Sequence, residues 1–353
     1  MKLTIRMLSL LCLVVATIGG RILARHDDSS LREWIKYKKE YGKVYETPEE
    51  DARRFSLFMT ANEQIKRHNA NLEASYRMGL NHMSDWTWEE RAKLSGSPRH
   101  DHPIEKLHEM KLGLDDLSEM KHLELLRKIL IANPAAPLPA EVDWRQVPNR
   151  VSPVKDQGAC GSSWAFATTG VLEGQQVVMN FSQELIPLSE QELMDCSDQN
   201  DGCNGGIAWM ALQDVPKIGG IMGEKDYPYI AAMEGVCNFN ASKRIMTAYD
   251  SVFLPDNNEL ALRETLAKFG PVAVSLNTSP NFYHYKSGIF SDPVYTGVSL
   301  DNELLLVGYG TDPKEGDYWI LKNSWSDKWG EKGYMRIKRG VCDVGRRSTI
   351  PIF

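Results

Sequence analysis

The sequence predicts an α+β protein led by a helical segment, and three stretches carry that expectation. They are the apolar residues at helix spacing from about Ser30 to Asn69, the run Gln157-Gly158-Ala159-Cys160-Gly161-Ser162-Ser163-Trp164-Ala165-Phe166, and the run Leu300-Asp301-Asn302-Glu303-Leu304-Leu305-Leu306-Val307-Gly308-Tyr309-Gly310. The 353 residues are 42% hydrophobic and 25% charged, ordinary globular values that allow a sizeable core. A net charge of -6 gives no basic face for a polyanion, so a nucleic-acid partner is not expected.

Residues 1–20 open with Lys2 and Arg6, run apolar from Met7 to Ala16 and end in small residues, the profile of a secretory signal peptide. The segment is short for a membrane span, and no later stretch is long and apolar enough for one. A product in the secretory or endolysosomal route follows: secreted, extracellular, lysosomal or endosomal. Without Cys12 the chain keeps five cysteines, Cys160, Cys196, Cys203, Cys237 and Cys342, in a compartment that permits disulfides, and the odd number leaves one thiol over. Asn180, Asn240 and Asn277 begin Asn-x-Ser/Thr triplets and are candidate glycosylation sites.

In the helical segment Leu31, Trp34, Ile35, Tyr37 and Tyr41 form an apolar stripe among charges. Glu50, Arg54, Phe58, Ile65 and Asn69 follow at steps that keep them on one face. Spacing alone reads this as an amphipathic helix with a Glu50–Arg54 pair. These residues also resemble the interspersed Glu-Arg-Phe-Asn-Ile-Asn motif of cathepsin L-like propeptides, with Ala61 at the first asparagine position. Gly79-Leu80-Asn81-His82-Met83-Ser84-Asp85 resembles that family's Gly-x-Asn-x-Phe-x-Asp motif, with Met83 for phenylalanine. The resemblance implies an inhibitory prodomain over 27–92 that runs through the substrate cleft. Residues 93–139 read as a linker, charge-rich and ending in Asn133-Pro134-Ala135-Ala136-Pro137-Leu138-Pro139. Leu117, Met120, Leu123, Leu126 and Ile129 within it recur every three residues and suggest one more helix.

The run around Cys160 resembles the papain-family nucleophile signature, but its second cysteine is Ser163. The run from Leu300 resembles the family's histidine segment, with Asn302 in the histidine's place. Ser163 and Asn302 are 139 positions apart, within the roughly 130–150 typical of papain-like enzymes. The resemblance covers 140–353 and implies a papain-like two-lobed α+β fold, a helical lobe opening at Ser163 and a β-rich lobe holding Asn302 and Asn323. Asn323 matches the asparagine that orients the histidine, and Gln157 the glutamine of the oxyanion hole. The family pairing implies Cys160–Cys203 and Cys196–Cys237 disulfides; Tyr295 stands near where a third partner would be, leaving Cys342 free. Gly205 and Gly206 match the edge that holds an extended peptide, Ile207 and Ala208 the start of an apolar second subsite, and Trp325 the primed side. Ser326 stands where the family has glycine. No cofactor and no metal site is implied.

A serine hydroxyl needs a base before it attacks a carbonyl, and an amide neither takes nor gives a proton usefully near neutral pH. His284 is the remaining histidine that could serve, and it lies upstream of the strand expected to face Ser163. The expectation is therefore a cathepsin L-like cysteine peptidase homologue without peptidase activity. It would bind extended peptides, its own propeptide in the cleft, and active proteases or their inhibitors. The alternatives are a weak or reassigned hydrolase using Ser163, or a structural or storage glycoprotein.

Overall fold

The computed structural model describes residues 28–95, 137–292 and 300–353. The signal-like segment, the repeat from Leu117 to Ile129 and Tyr295 lie outside them. The chain divides into two bodies: one ends at Ala74 and resumes over Met78–Trp88, while the other holds Ser75–Arg77 and everything from Glu89.

In the first body the expected helical segment forms two helices, α1 (Asp28–Tyr41) and α2 (Pro48–Asn69). Gly42 ends α1 in the left-handed region at φ 64°. Thr47 then caps α2 by accepting from the Glu50 N–H, and Pro48 opens it where no donor is needed. Trp34, Tyr37, Phe55 and Phe58 form the core between the helices. The Glu50–Arg54 pair is present at 2.6 Å, and Arg54 also donates to the Asp85 carbonyl, so the pair ties α2 to the segment after it. Asn69 closes both a donor and an acceptor onto the Met78 backbone, at 2.8 and 3.0 Å.

The second body is built on a nine-stranded sheet in the order β1-β7-β10-β9-β8-β6-β12-β5, with β2 paired to β8. These are β1 (Tyr76–Met78, its first two residues belonging here), β2 (Val142–Asp143), β5 (Asp250–Phe253), β6 (Val272–Leu276), β7 (Tyr285–Phe290), β8 (Asn302–Asp312), β9 (Gly316–Lys322), β10 (Tyr334–Lys338) and β12 (Thr349–Ile352). β3 (Ile221–Met222) and β4 (Arg244–Met246) make a small second sheet, and β11 (Val344–Arg347) precedes β12. The helices are α3 (Trp88–Ala92, here from Glu89), α4 (Ser163–Gln176), α5 (Glu190–Cys196), α6 (Ala208–Ile218) and α7 (Glu259–Lys268).

The central strands are buried on both sides, which is why β8 reads as the continuous apolar run Leu304-Leu305-Leu306-Val307 rather than an alternation. Helix α4 is buried almost throughout and lies against β8. Gly170 makes that approach possible, because a Cβ there would meet the Leu305 side chain at 2.8 Å. Helix α4 is thereby set with its first residue beside the first residue of β8.

Candidate active site

Three of the expected positions fall at element ends of the second body. Ser163 is the first residue of α4, Asn302 the first of β8, and Asn323 the first after β9. All three are buried. A helix N-terminus favours an anion, but a hydroxyl is neutral at physiological pH and gains little from it. The preceding Ser162 does not cap the helix; its hydroxyl pairs with the Tyr229 hydroxyl at 2.6 Å.

One backbone donor gathers the corner. The Glu303 N–H is shared between the Ser163 hydroxyl oxygen, 3.2 Å away, and the Asn302 side-chain oxygen at 3.0 Å. The Asn302 side-chain nitrogen is buried without a partner. Asn323 is in the same condition, its oxygen accepting from the Ser324 N–H at 2.8 Å and its nitrogen unpartnered. Among the described residues no titrating side chain is hydrogen-bonded to the Ser163 hydroxyl.

His284 does not supply one. It ends a short 3-10 turn (Phe282–His284), is fully buried, and has both ring nitrogens unpartnered. Burial, with Arg91 adding to it, pushes its pKa down to about 3, so it is neutral over the physiological range.

The Gln157 corner is fully connected. Its side-chain nitrogen donates to the Cys160 and Leu94 carbonyls at 2.7 and 3.2 Å, and its side-chain oxygen accepts from the Ser324 hydroxyl at 2.6 Å. Its backbone N–H donates to the Ser324 carbonyl at 2.8 Å. Leu94 belongs to the segment Glu89–Ser95, which thus lies against this corner. Gly161 is what lets it approach, since a Cβ there would meet the Ser95 carbonyl oxygen at 2.8 Å and that of Cys203 at 2.5 Å. The structure joins Cys160 to Cys203 and Cys196 to Cys237.

Gly205 and Gly206 are buried just before α6, and a Cβ on Gly206 would meet the Trp164 ring at 2.6 Å. Ile207 precedes α6 in extended conformation and packs with Trp209, Met210 and Phe253. Trp325, expected on the primed side, is 1% exposed. Tyr283 stacks on it at 5.3 Å, and the Arg91 guanidinium lies over Tyr283 at 5.7 Å. Ser326 takes φ 65°, so it holds the left-handed conformation that favours glycine.

Cys342 is a free buried thiol, pushed up to about 12 by burial and nearby carboxylates. Of the glycosylation candidates Asn180 and Asn240 are exposed, and Asn240 accepts from the Ser242 N–H at 3.0 Å. Asn277 is 2% exposed and donates to Asp343, so the folded surface does not present it.

Behind the site a cavity of about 20 Å³ is lined by Glu303, Asn323 and Ser324 and by a buried charged cluster. In that cluster Lys155 bonds Glu173 and Glu190 at 2.9 and 2.5 Å, and Ser152 links Glu173 to Lys322. Burial pushes the Lys322 ammonium down to about 8, against the pull of Glu173.

Glu303 is the residue the sequence reading passed over. Its carboxylate accepts from the Ala208 N–H at 2.8 Å and from the Ser275 hydroxyl at 3.0 Å, and burial pushes its pKa up to about 7. The available signal was an acidic residue directly before the apolar run Leu304–Val307, since carboxylates are seldom fully buried without partners.

The papain family cysteine protease pattern matches residues 138–352, and the cathepsin propeptide inhibitor domain (I29) matches residues 34–90. The chain belongs to the papain family. Within that family it is cathepsin L-like. It is 33% identical to a cathepsin L-like peptidase of Aedes aegypti, over 98% of this chain and 100% of that protein. It is 34% identical to the procathepsin L of Mus musculus, over 97% and 98% of the two chains. Among solved structures it resembles digestive procathepsin L 3 of the Tenebrio molitor larval midgut. That likeness has a TM-score of 0.78 at 34% identity and covers 93% of this papain-family chain and 100% of the other. No helix among the described residues is long and apolar enough to cross a membrane.

Proposed function

We propose that this protein is a pseudoprotease: a cathepsin L-like chain in which Ser163 and Asn302 occupy the positions of the nucleophile and the base, and which binds peptides or protease partners without cutting them. The observation that carries this reading is the shared Glu303 N–H. It is the contact that joins Ser163 to Asn302, and it donates to both, so nothing in it can withdraw a proton from the hydroxyl. Attack on a carbonyl requires that withdrawal, and expulsion of the amine requires a proton returned. In an unrelated serine protease, loss of the nucleophile or base alone costs on the order of a million-fold in turnover.

Support for retained binding comes from the Gln157 corner, whose polar atoms are satisfied and which already holds a peptide carbonyl, that of Leu94. On this reading 27–92 is the prodomain, 93–139 the linker and 140–353 the peptidase-like domain, and the signal-like 1–20 sends the product to the secretory or endolysosomal route. The chain would not remove its own prosegment. Incubation of the purified full chain at acidic pH, with inhibitors of contaminating proteases present, should leave it intact. Maturation there that is abolished by Ser163→Ala would favour the alternative, a reassigned serine hydrolase.

A further inference from the structure

The triplet that begins at Asn180 falls on a short loop whose surface is apolar. After α4 the chain turns back over 177–186, and Gln176, the last residue of the helix, ties that loop to its stem. The Gln176 side-chain oxygen accepts from the Ser182 hydroxyl at 2.8 Å and from the Ile186 N–H at 2.6 Å, and its nitrogen donates to the Ile186 carbonyl at 3.1 Å. Asn180 stands at the tip, exposed and left-handed at φ 58°. Around it Val178 is 50% exposed, and Met179, Phe181 and Ile186 are exposed as well. The Phe353 ring lies against Phe181 at 5.8 Å, and the Tyr249 N–H donates to the Ile352 carbonyl, so the apolar surface continues to the exposed Tyr249. Single exposed apolar residues are ordinary, but a contiguous group marks a surface that something covers.

We propose that Asn180 carries an N-linked oligosaccharide and that this glycan covers the apolar tip of 177–186. The inference rests on the proposed secretory route and is independent of the cleft. In the reaction the Asn180 side-chain nitrogen displaces a diphosphate from the first sugar of a lipid-linked oligosaccharide. One C–N bond forms, one C–O bond breaks, the lipid diphosphate leaves, and the proton lost from nitrogen passes to the oligosaccharyl transferase. A left-handed turn suits asparagine, and the Ser182 hydroxyl has a use on Gln176, but neither accounts for the exposed apolar side chains beside them. A glycan does, because it is bulky and solubilising, and the C–H face of a sugar packs on an aromatic ring such as that of Phe181. The other two triplets lack this setting. Asn277 is buried with its nitrogen donating to Asp343, and the Asn240 oxygen is held by the Ser242 N–H and hydroxyl as the cap of a 3-10 turn.

The first arm reads the site. The full chain is translated in the presence of microsomes, once with its own residues 1–20 and once with a proven signal sequence in their place, and the translocated product is mapped by peptide mass spectrometry. Most of it should carry a glycan at Asn180. That glycan should be lost in Asn180→Gly, which keeps the left-handed turn, and in Ser182→Ala, and should be kept in Ser182→Thr. A bare Asn180 in chains that have crossed the membrane overturns the proposal. A glycan at Asn180 only behind the proven signal would support the site and refute the routing by 1–20.

The second arm reads what the glycan covers. The full chain is secreted from a eukaryotic host in an Asn240→Gln background, so that Asn180 is the exposed acceptor, and its binding of an apolar fluorescent dye is compared with that of the same chain carrying Asn180→Gly. Dye fluorescence should rise at least about two-fold in the glycine variant and return to the glycosylated level when Val178→Ser and Met179→Ser are added. Equal dye binding with and without the glycan, or a rise that the two serines do not reverse, overturns the covering role. Should the glycine variant not fold, enzymatic removal of the glycan from the folded chain is read by the same criteria.

Discussion

Two corners of one cleft, built from adjacent residues, are wired in opposite ways. At Gln157 the side-chain donor and acceptor are both paired, to Cys160, Leu94 and Ser324. At Asn302 and Asn323, where proton transfer would be organised, both amide nitrogens are buried without partners, and so is the Trp325 indole nitrogen. Buried polar groups are nearly always paired, because an unmet donor in the interior costs about 1–3 kcal/mol. The Gln157 corner has its complement of partners, and the Asn302 and Asn323 corner does not. On the proposed reading this is binding without chemistry, and the contrast can be tested from either side.

The largest effect should come from breaking the satisfied corner. Gln157→Leu strands the Ser324 hydroxyl and removes two donor contacts. Denaturant unfolding of the full chain should show a loss of about 2–3 kcal/mol. A loss below about 0.5 kcal/mol would mean that the network is idle.

Next is the carboxyl between the corners. Glu303 has its pKa raised by burial from an ordinary 4.5 to about 7. The unfolded chain therefore gives up this proton first, so the group's contribution is full below about pH 4.5 and is lost as pH rises to about 7. His284 works in the opposite sense, its neutral form favouring the fold above its ordinary value of 6.5 and losing that as pH falls toward about 3. Comparing native and Glu303→Gln chains cancels His284. The stability difference, variant minus native, should grow by about 2 kcal/mol between pH 4.5 and 7. A difference independent of pH would show that Glu303 titrates normally.

Smaller still is the response of the unsatisfied corner. Asn302→Leu removes an orphaned donor and adds apolar volume of similar size, so stability should be unchanged or rise by up to about 1 kcal/mol. A loss of about 2 kcal/mol would mean that the amide is paired in solution. Ser326→Gly relieves a left-handed serine outside both corners and should raise stability by about 0.5–1 kcal/mol.

Much of this architecture is legible in the residues, and the misses have local causes. The helical segment from Ser30 to Asn69 divides where Gly42 and Pro48 stand, two breakers that apolar periodicity alone does not register. The resemblance implied that the Asn302 segment faces Ser163; the structure sets both at element ends under one shared donor. The burial of Trp325 was not legible in the sequence, because it involves Tyr283 and Phe282, some 40 residues away along the chain. Asn277 carries a sequon that is blind to burial; its contact with Asp343 is visible only in three dimensions. Glu303 is legible as an acid directly before the apolar run Leu304–Val307, but its partners Ala208 and Ser275 are distant in the chain and visible only in three dimensions.

The most direct measurement is hydrolysis of a fluorogenic peptide library by the chain from Val142 onward, beside Ser163→Cys/Asn302→His. The account predicts silence from the native chain and turnover once thiol and imidazole are restored. Turnover by the native chain that disappears in Ser163→Ala would contradict it.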